Sequence, residues 1–179
     1  MIGIPLGLLY ANAGEWLIHK YVLHGLGTRK HSFWSFHWRE HHHAVRKHDF
    51  VDPAYERSVF GNHGQGKEAL ALVGVVALHL PLLPVAPYFT LTVCYSAANY
   101  YFKHKRAHRD PAWAKLHLKH HYDHHMGLSQ HANWCVTRPW FDHLMGTRID
   151  YAYDDRSRPL QQPAERSPSA QAVNKRTAA

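Results

Sequence analysis

Nineteen of the 179 residues are histidine, and it is their spacing that suggests chemistry. His19 and His24 stand five apart. His37 and His41 stand four apart, with His42 and His43 directly after them, and His104 and His108 repeat the spacing of four. His117, His120 and His121 have offsets of three and four, which place all three on one helical face. His121, His124 and His125 repeat that pattern one turn later. Neutral imidazole suits zinc, iron, copper or nickel, and a site made of many imidazoles needs no carboxylate charge. Metal-bound imidazoles usually give their second N–H to a carboxylate or a carbonyl. Glu15, Glu40, Asp123 and Asp142 lie near enough in sequence to serve. Glu15 stands out among them, because a carboxylate inside an apolar segment is costly unless it has a partner. The isolated His31, His63 and His79 read as surface or core residues, and His48 and His131 are given no metal role. The two cysteines, Cys94 and Cys135, supply neither a disulfide framework nor a cysteine zinc site.

These histidines need elements to carry them, and the hydropathy pattern proposes an all-α integral membrane protein. A first apolar segment runs from Met1 to about Leu26. Its last part holds a histidine pair whose spacing of five diverges on an ideal helix, so loosening near Gly25 and Gly27 is expected. From Ala69 to Phe102 no side chain carries a formal charge. That run is too long for one pass of about 20 residues, and Pro81, Pro84 and Pro87 interrupt it. A helical hairpin follows: up to about Leu80, a proline-rich turn, down to about Phe102, with each arm slightly short for a full span. One entering helix and one hairpin leave both histidine-rich stretches on the same side of the bilayer. Lys20, Arg29, Lys30, Arg39, Arg46, Lys47, Lys103, Lys105 and Arg106 crowd there, and the positive-inside tendency makes that side cytoplasmic. The formal charge of +8 is thereby assigned to a membrane-flanking surface, and nucleic acid is not expected as a partner. Residues 1–150 form the expected domain, and 151–179, rich in Pro, Ser, Arg, Gln and Ala, read as a disordered tail.

With these residues in view, the chain resembles the fatty acid hydroxylase and sterol desaturase superfamily of membrane histidine-box di-iron oxygenases, over about Gly14 to Thr147. Glu15 followed by His19-x4-His24 resembles the family's first box. His104-x3-His108 resembles the box after its second hairpin. His117-Leu118-Lys119-His120-His121-Tyr122 is similar to the H-x2-H-H box of the fatty acid 2-hydroxylases. Val136 to Thr147, with Thr137, Pro139, Trp140, Asp142, Gly146 and Thr147, resembles their closing segment. Two departures stand. His37-x3-His41-His42 is one residue longer than the family's usual second box. The last box also occurs in two overlapping copies that share His121, and both are carried. His19 to Gly25 is in addition similar to the first box of bacterial carotene hydroxylases.

The resemblance implies twelve candidate ligands: His19, His24, His37, His41, His42, His104, His108, His117, His120, His121, His124 and His125. It also implies Glu15 and Asp142 behind them. Two iron ions, dioxygen as co-substrate and electrons from a separate cytochrome, ferredoxin or reductase would hydroxylate or desaturate a lipid, foremost a fatty acyl chain. Zinc fits the same ligands but has no redox chemistry. A carotenoid or sterol oxidase of the same chemistry and a non-catalytic histidine-rich metal-binding membrane protein are the competing expectations.

Overall fold

A computed structural model describes residues 2–153 and, for the backbone alone, 159–164. The described chain is mostly helical, in keeping with the all-α expectation. Helix α1 (Gly3–Leu17) continues without a break into a π-helical segment, Ile18–Leu23. A second π-helical segment, Phe36–His41, leads directly into α2 (His42–Lys47). Helix α3 (Gly64–His79) climbs to a short 3₁₀ turn at Leu80–Leu82, and α4 (Pro87–Ala107) returns. The expected hairpin and its proline turn are therefore present. Pro87 starts α4 because the first helical position needs no N–H.

Three short helices complete the histidine end: α5 (Pro111–His117), α6 (Lys119–Met126) and α7 (Trp140–Leu144). Asp110 caps α5, its carboxylate accepting the Trp113 N–H at 3.0 Å. That satisfies one of the four donors that a helix start leaves open.

Helix α1 packs chiefly on α4, and glycine sets the distance. A Cβ on Gly7 would stand 2.8 Å from the Cβ of Thr92, so only glycine admits α4 this close. Two apolar clusters flank the histidine region. Val45, Phe50, Ala107, Ala114, Leu118 and Tyr122 form one, and Trp16, Trp134 and Cys135 the other, with Phe141 packed against it. Between them the interior is polar, because ten fully or nearly fully buried histidines occupy the place of an apolar core.

Among the described residues no helix is long and apolar enough to cross a membrane. The segment expected to open a disordered tail starts instead as a strand. β1 (Asp150–Tyr153) pairs antiparallel with β2 (Pro159–Ala164), with a register irregularity between Tyr151 and Tyr153. Residues 154–158 and 165–179 of that expected tail lie outside the described residues.

Candidate metal centre

The π-helical geometry sorts the histidines. In a π-turn the backbone bond runs from residue i+5 to residue i, so side chains five apart come into line. His24 N–H donates to His19 C=O at 2.9 Å, and the His42 N–H reaches the His37 C=O. The spacing of five that would diverge on an α-helix therefore converges. The expected loosening takes the form of a π-turn, placed before the glycines and not at them.

His19, His24, His37, His42 and His124 form one nest, all buried. Its inward atoms are all Nε2: His19 to His37 at 2.9 Å, His37 to His42 at 3.1 Å, His42 to His24 at 3.0 Å, and His124 to both His24 and His42 at 3.2 Å. His41, His104, His108 and His125 form a second nest, where spacings of four on ordinary helix do the aligning. His121 joins it through Nε2, 3.0 Å from His108 Nε2. The nests adjoin, with the His42 and His125 rings 4.2 Å apart.

The outward nitrogens decide what the inward ones are. His19 Nδ1–H donates to Trp134 C=O at 2.5 Å, His124 Nδ1–H to Ala132 C=O at 2.7 Å, and His108 Nδ1–H to Phe50 C=O at 2.9 Å. A carbonyl only accepts, so the proton of each neutral ring sits on Nδ1 and its Nε2 presents a lone pair. Carboxylates do the same for two more rings. His41 Nδ1 is 2.7 Å from Asp52, and His104 Nδ1 is 3.0 Å from both Glu68 oxygens, of which Oε2 also accepts the Tyr55 hydroxyl. His104 and His108 then face each other at 3.2 Å through two lone pairs with no proton between them. The His41 Nε2 and both His125 nitrogens are buried without a hydrogen-bond partner. Unpaired buried polar atoms are costly, and lone pairs aimed at one another repel. A cation in each nest relieves the lone-pair repulsion and engages His41 Nε2 and one His125 nitrogen, so the residues present fit a pair of metal ions.

Burial also keeps these rings in their binding form. It holds His37, His42, His108, His121 and His125 well below the usual 6.5, holds His41 below it, and takes His124 down to about 3. At neutral pH these rings are uncharged, so no proton on them competes with a metal.

A pH dependence follows. The folded chain resists protonation while the unfolded chain takes up protons near 6.5, so stability is fully present above 6.5 and falls as pH drops below it. Each such histidine contributes on the order of 1.4 kcal/mol per pH unit across its window. The thermal midpoint of metal-free protein is expected to fall steeply between about pH 6.5 and about pH 5. A flat profile there would mean that the rings are already solvated.

Of the twelve histidines picked out by spacing, ten lie in the nests. His117 is exposed on α5, its ring against Trp113. His120 is buried but turns away, its Nε2 at 2.9 Å from the Val136 carbonyl, and burial lowers it to about 4.

Glu15 and Asp142 touch no ligand ring, and each holds the loop behind the rings. Glu15 accepts from the Val136 and Thr137 N–H groups and from the Thr137 hydroxyl. Asp142 accepts from the Trp134 and Cys135 N–H groups. They thereby fix the segment whose Trp134 and Ala132 carbonyls orient His19 and His124. Asp123 instead meets Lys119, Arg148 and Tyr153, and Glu40 meets Lys67. The carboxylates that do reach ligands, Asp52 and Glu68, went unremarked in the sequence. Glu68 carried a signal, being the last charged residue before the uncharged run to Phe102.

A mainly apolar cavity of about 260 Å³ opens beside the first nest, between α1, α3 and α4. His19 and His37 stand in its wall, and Ala71, Leu72, Val75 and Val93 carry it away from the nests. Fold and site together define a helical protein built around paired, buried all-imidazole nests beside an apolar cavity. Compared with known proteins, the chain matches no family model, no curated protein and no solved structure.

Proposed function

We propose that this protein is a membrane-bound, oxygen-activating di-iron enzyme that hydroxylates or desaturates a lipid, foremost a fatty acyl chain. The observation that carries the reading is the pairing of two metal-ready imidazole nests with an apolar cavity whose wall includes His19 and His37. All-imidazole donors also suit zinc, copper or nickel. Iron is chosen because an apolar cavity against the ligands calls for chemistry on unactivated C–H bonds. Two irons in these nests supply the redox capacity to turn dioxygen and donated electrons into oxidation of such a bond.

The chain's own residues contribute position and dryness. The outward N–H bonds to Trp134, Ala132, Phe50, Asp52 and Glu68 fix five of the ten nest rings. The apolar walls hold an alkyl chain with one carbon near His19 and His37, and exclude water from the reaction. No segment of the chain resembles a haem or flavin site, so the electrons come from a separate donor.

Membrane residence is part of the proposal. Side chains of Ile2 (75%), Leu78 (75%), Val85 (81%) and Phe102 (68%) are exposed on α1, the hairpin turn and its two arms. Leu6, Leu9, Leu70, Val73 and Leu91 add to the same apolar exposure. Large apolar side chains exposed in this number fit a surface that meets lipid. At 16 residues α3 is about 24 Å long, short of a bilayer core of about 30 Å. A shallow or re-entrant hairpin with its histidine end at the cytoplasmic surface fits that length.

The test is metal content together with lipid products, in membranes from iron-supplied cells. Two irons per chain and an oxidised lipid absent from control membranes are expected. Tightly bound metal with no oxidised acyl lipid, carotenoid or sterol would overturn the enzyme reading in favour of a metal-binding protein. Oxidised carotenoid or sterol alone would move the substrate and keep the chemistry.

A further inference from the structure

Away from the nests the apolar cavity is lined by a polar pair that the chemistry above does not use. Tyr10 and His79 both line it. His79 sits at the last position of α3, just before the hairpin turn, and is 7% exposed. Its Nδ1 lies 2.7 Å from the Val75 carbonyl of its own helix, and its Nε2 lies 2.9 Å from the Tyr10 hydroxyl. The Tyr10 ring is braced by Phe89, with centroids 5.3 Å apart.

The Val75 carbonyl can only accept, so His79 Nδ1 carries a proton, and the tautomer with that single N–H accepts at Nε2. Tyr10 must then donate its single hydrogen to His79. What remains is the acceptor capacity of the phenol oxygen, on a residue that lines the cavity and is 49% exposed. A group that offers a hydrogen satisfies it, whereas a ketone, ether or ester presents a lone pair to a lone pair.

Tyr10 and His19 are nine residues apart on a continuous helix, so the pair stands about 14 Å from the first nest. We infer that Tyr10, oriented by His79, is a binding site for the hydroxyl of a lipid alcohol, placed about 14 Å from the carbon held beside His19 and His37. This inference rests on the lipid-oxidising reading for its direction, the apolar chain running from the alcohol toward the nests, and it narrows the substrate to a lipid with a free hydroxyl in place of the acyl ester or thioester put first above. The pair thereby acts as a specificity determinant: it sets which end of a lipid enters and how far it reaches.

The experiment is equilibrium binding of lauryl alcohol and of lauryl methyl ether to the full-length chain in lipid nanodiscs. Wild type and Tyr10→Phe are compared; phenylalanine keeps the ring against Phe89 and removes only the hydroxyl. Wild type is expected to bind the alcohol about fivefold more tightly than the ether, as one neutral hydrogen bond allows. Tyr10→Phe is expected to bind both alike, with ether affinity unchanged. Equal binding of the two ligands by wild type, or a preference that survives in Tyr10→Phe, would overturn the inference. So would a parallel loss of affinity for both ligands, since Tyr10 would then serve packing alone. Binding needs no turnover. An alcohol preference in a chain that oxidises nothing would leave this site standing and remove the oxygenase reading, and oxidation without the preference would do the reverse.

Discussion

His108→Ala is expected to empty the second nest and abolish lipid oxidation, whereas His120→Ala is expected to leave both nests loaded. His108 is fully buried, its Nδ1 is tied to Phe50, and its Nε2 lies within 3.2 Å of both His104 and His121. Removing it takes away the atom around which the nest is arranged. The loss of metal affinity should exceed the roughly 10–100-fold that follows from loss of an outer partner alone. His120 lies one residue before a ligand, yet its ring bonds the Val136 carbonyl. Its removal should cost about 1–3 kcal/mol of stability through an unsatisfied buried carbonyl, with metal content retained. Metal analysis of the two purified variants decides the matter. Loss of metal from His120→Ala, with His108→Ala still loaded, would reverse the assignment.

The second large effect is expected from Asp52→Asn, because one carboxylate does two separable jobs. Its Oδ1 accepts the Ala54 N–H at 2.8 Å and caps the turn at Pro53–Glu56, while its Oδ2 takes the His41 Nδ1–H at 2.7 Å. Asparagine is as good a cap as aspartate, so the turn survives with the amide oxygen on Ala54. The amide nitrogen then faces His41 and donates, which drives the ring's proton to Nε2. That is the nitrogen which otherwise points, partnerless, into the second nest. A protonated Nε2 cannot bind metal. Metal affinity of the second nest should fall about 10–100-fold, with the thermal midpoint of metal-free protein nearly unchanged. Equal metal affinity in Asp52→Asn and wild type would show that His41 is not a ligand. A drop in the metal-free midpoint of similar size would show that the capping role dominates.

Both variants bear on how much of the centre was legible in advance. The spacing of His104 and His108 states its meaning directly, since an α-helix brings residues four apart together. The spacing of His37, His41 and His42 does not. Read as ordinary helix, His37 pairs with His41; in the fold the π-turn sends His37 and His42 into one nest and His41 into the other. His124 and His125 likewise divide between the nests, as neighbours on a helix point in different directions. His117 shows the opposite error, for its offsets of three and four are right and its helix simply faces that side to solvent. Glu15 and Asp142 were expected to take the second N–H of histidine rings, yet both bind a loop that lies more than a hundred residues from Glu15. Nearness in sequence does not reveal such a link.

The amino-acid sequence by itself determined the donor type, the helical character, the hairpin with its proline turn, and most of the histidines that gather in the nests. These follow from local rules: imidazole chemistry, hydropathy and helical periodicity act within a few residues. The tertiary structure alone decided which imidazoles share a nest and which nitrogen of each anchored ring points inward. It also decided that three backbone carbonyls, with Asp52 and Glu68, hold the rings that fix those nitrogens. Every residue carries a carbonyl, so no sequence pattern marks the ones that matter. Only the packing of α1, α4 and α6 against Phe50 and the loop at 132–134 brings them to the rings.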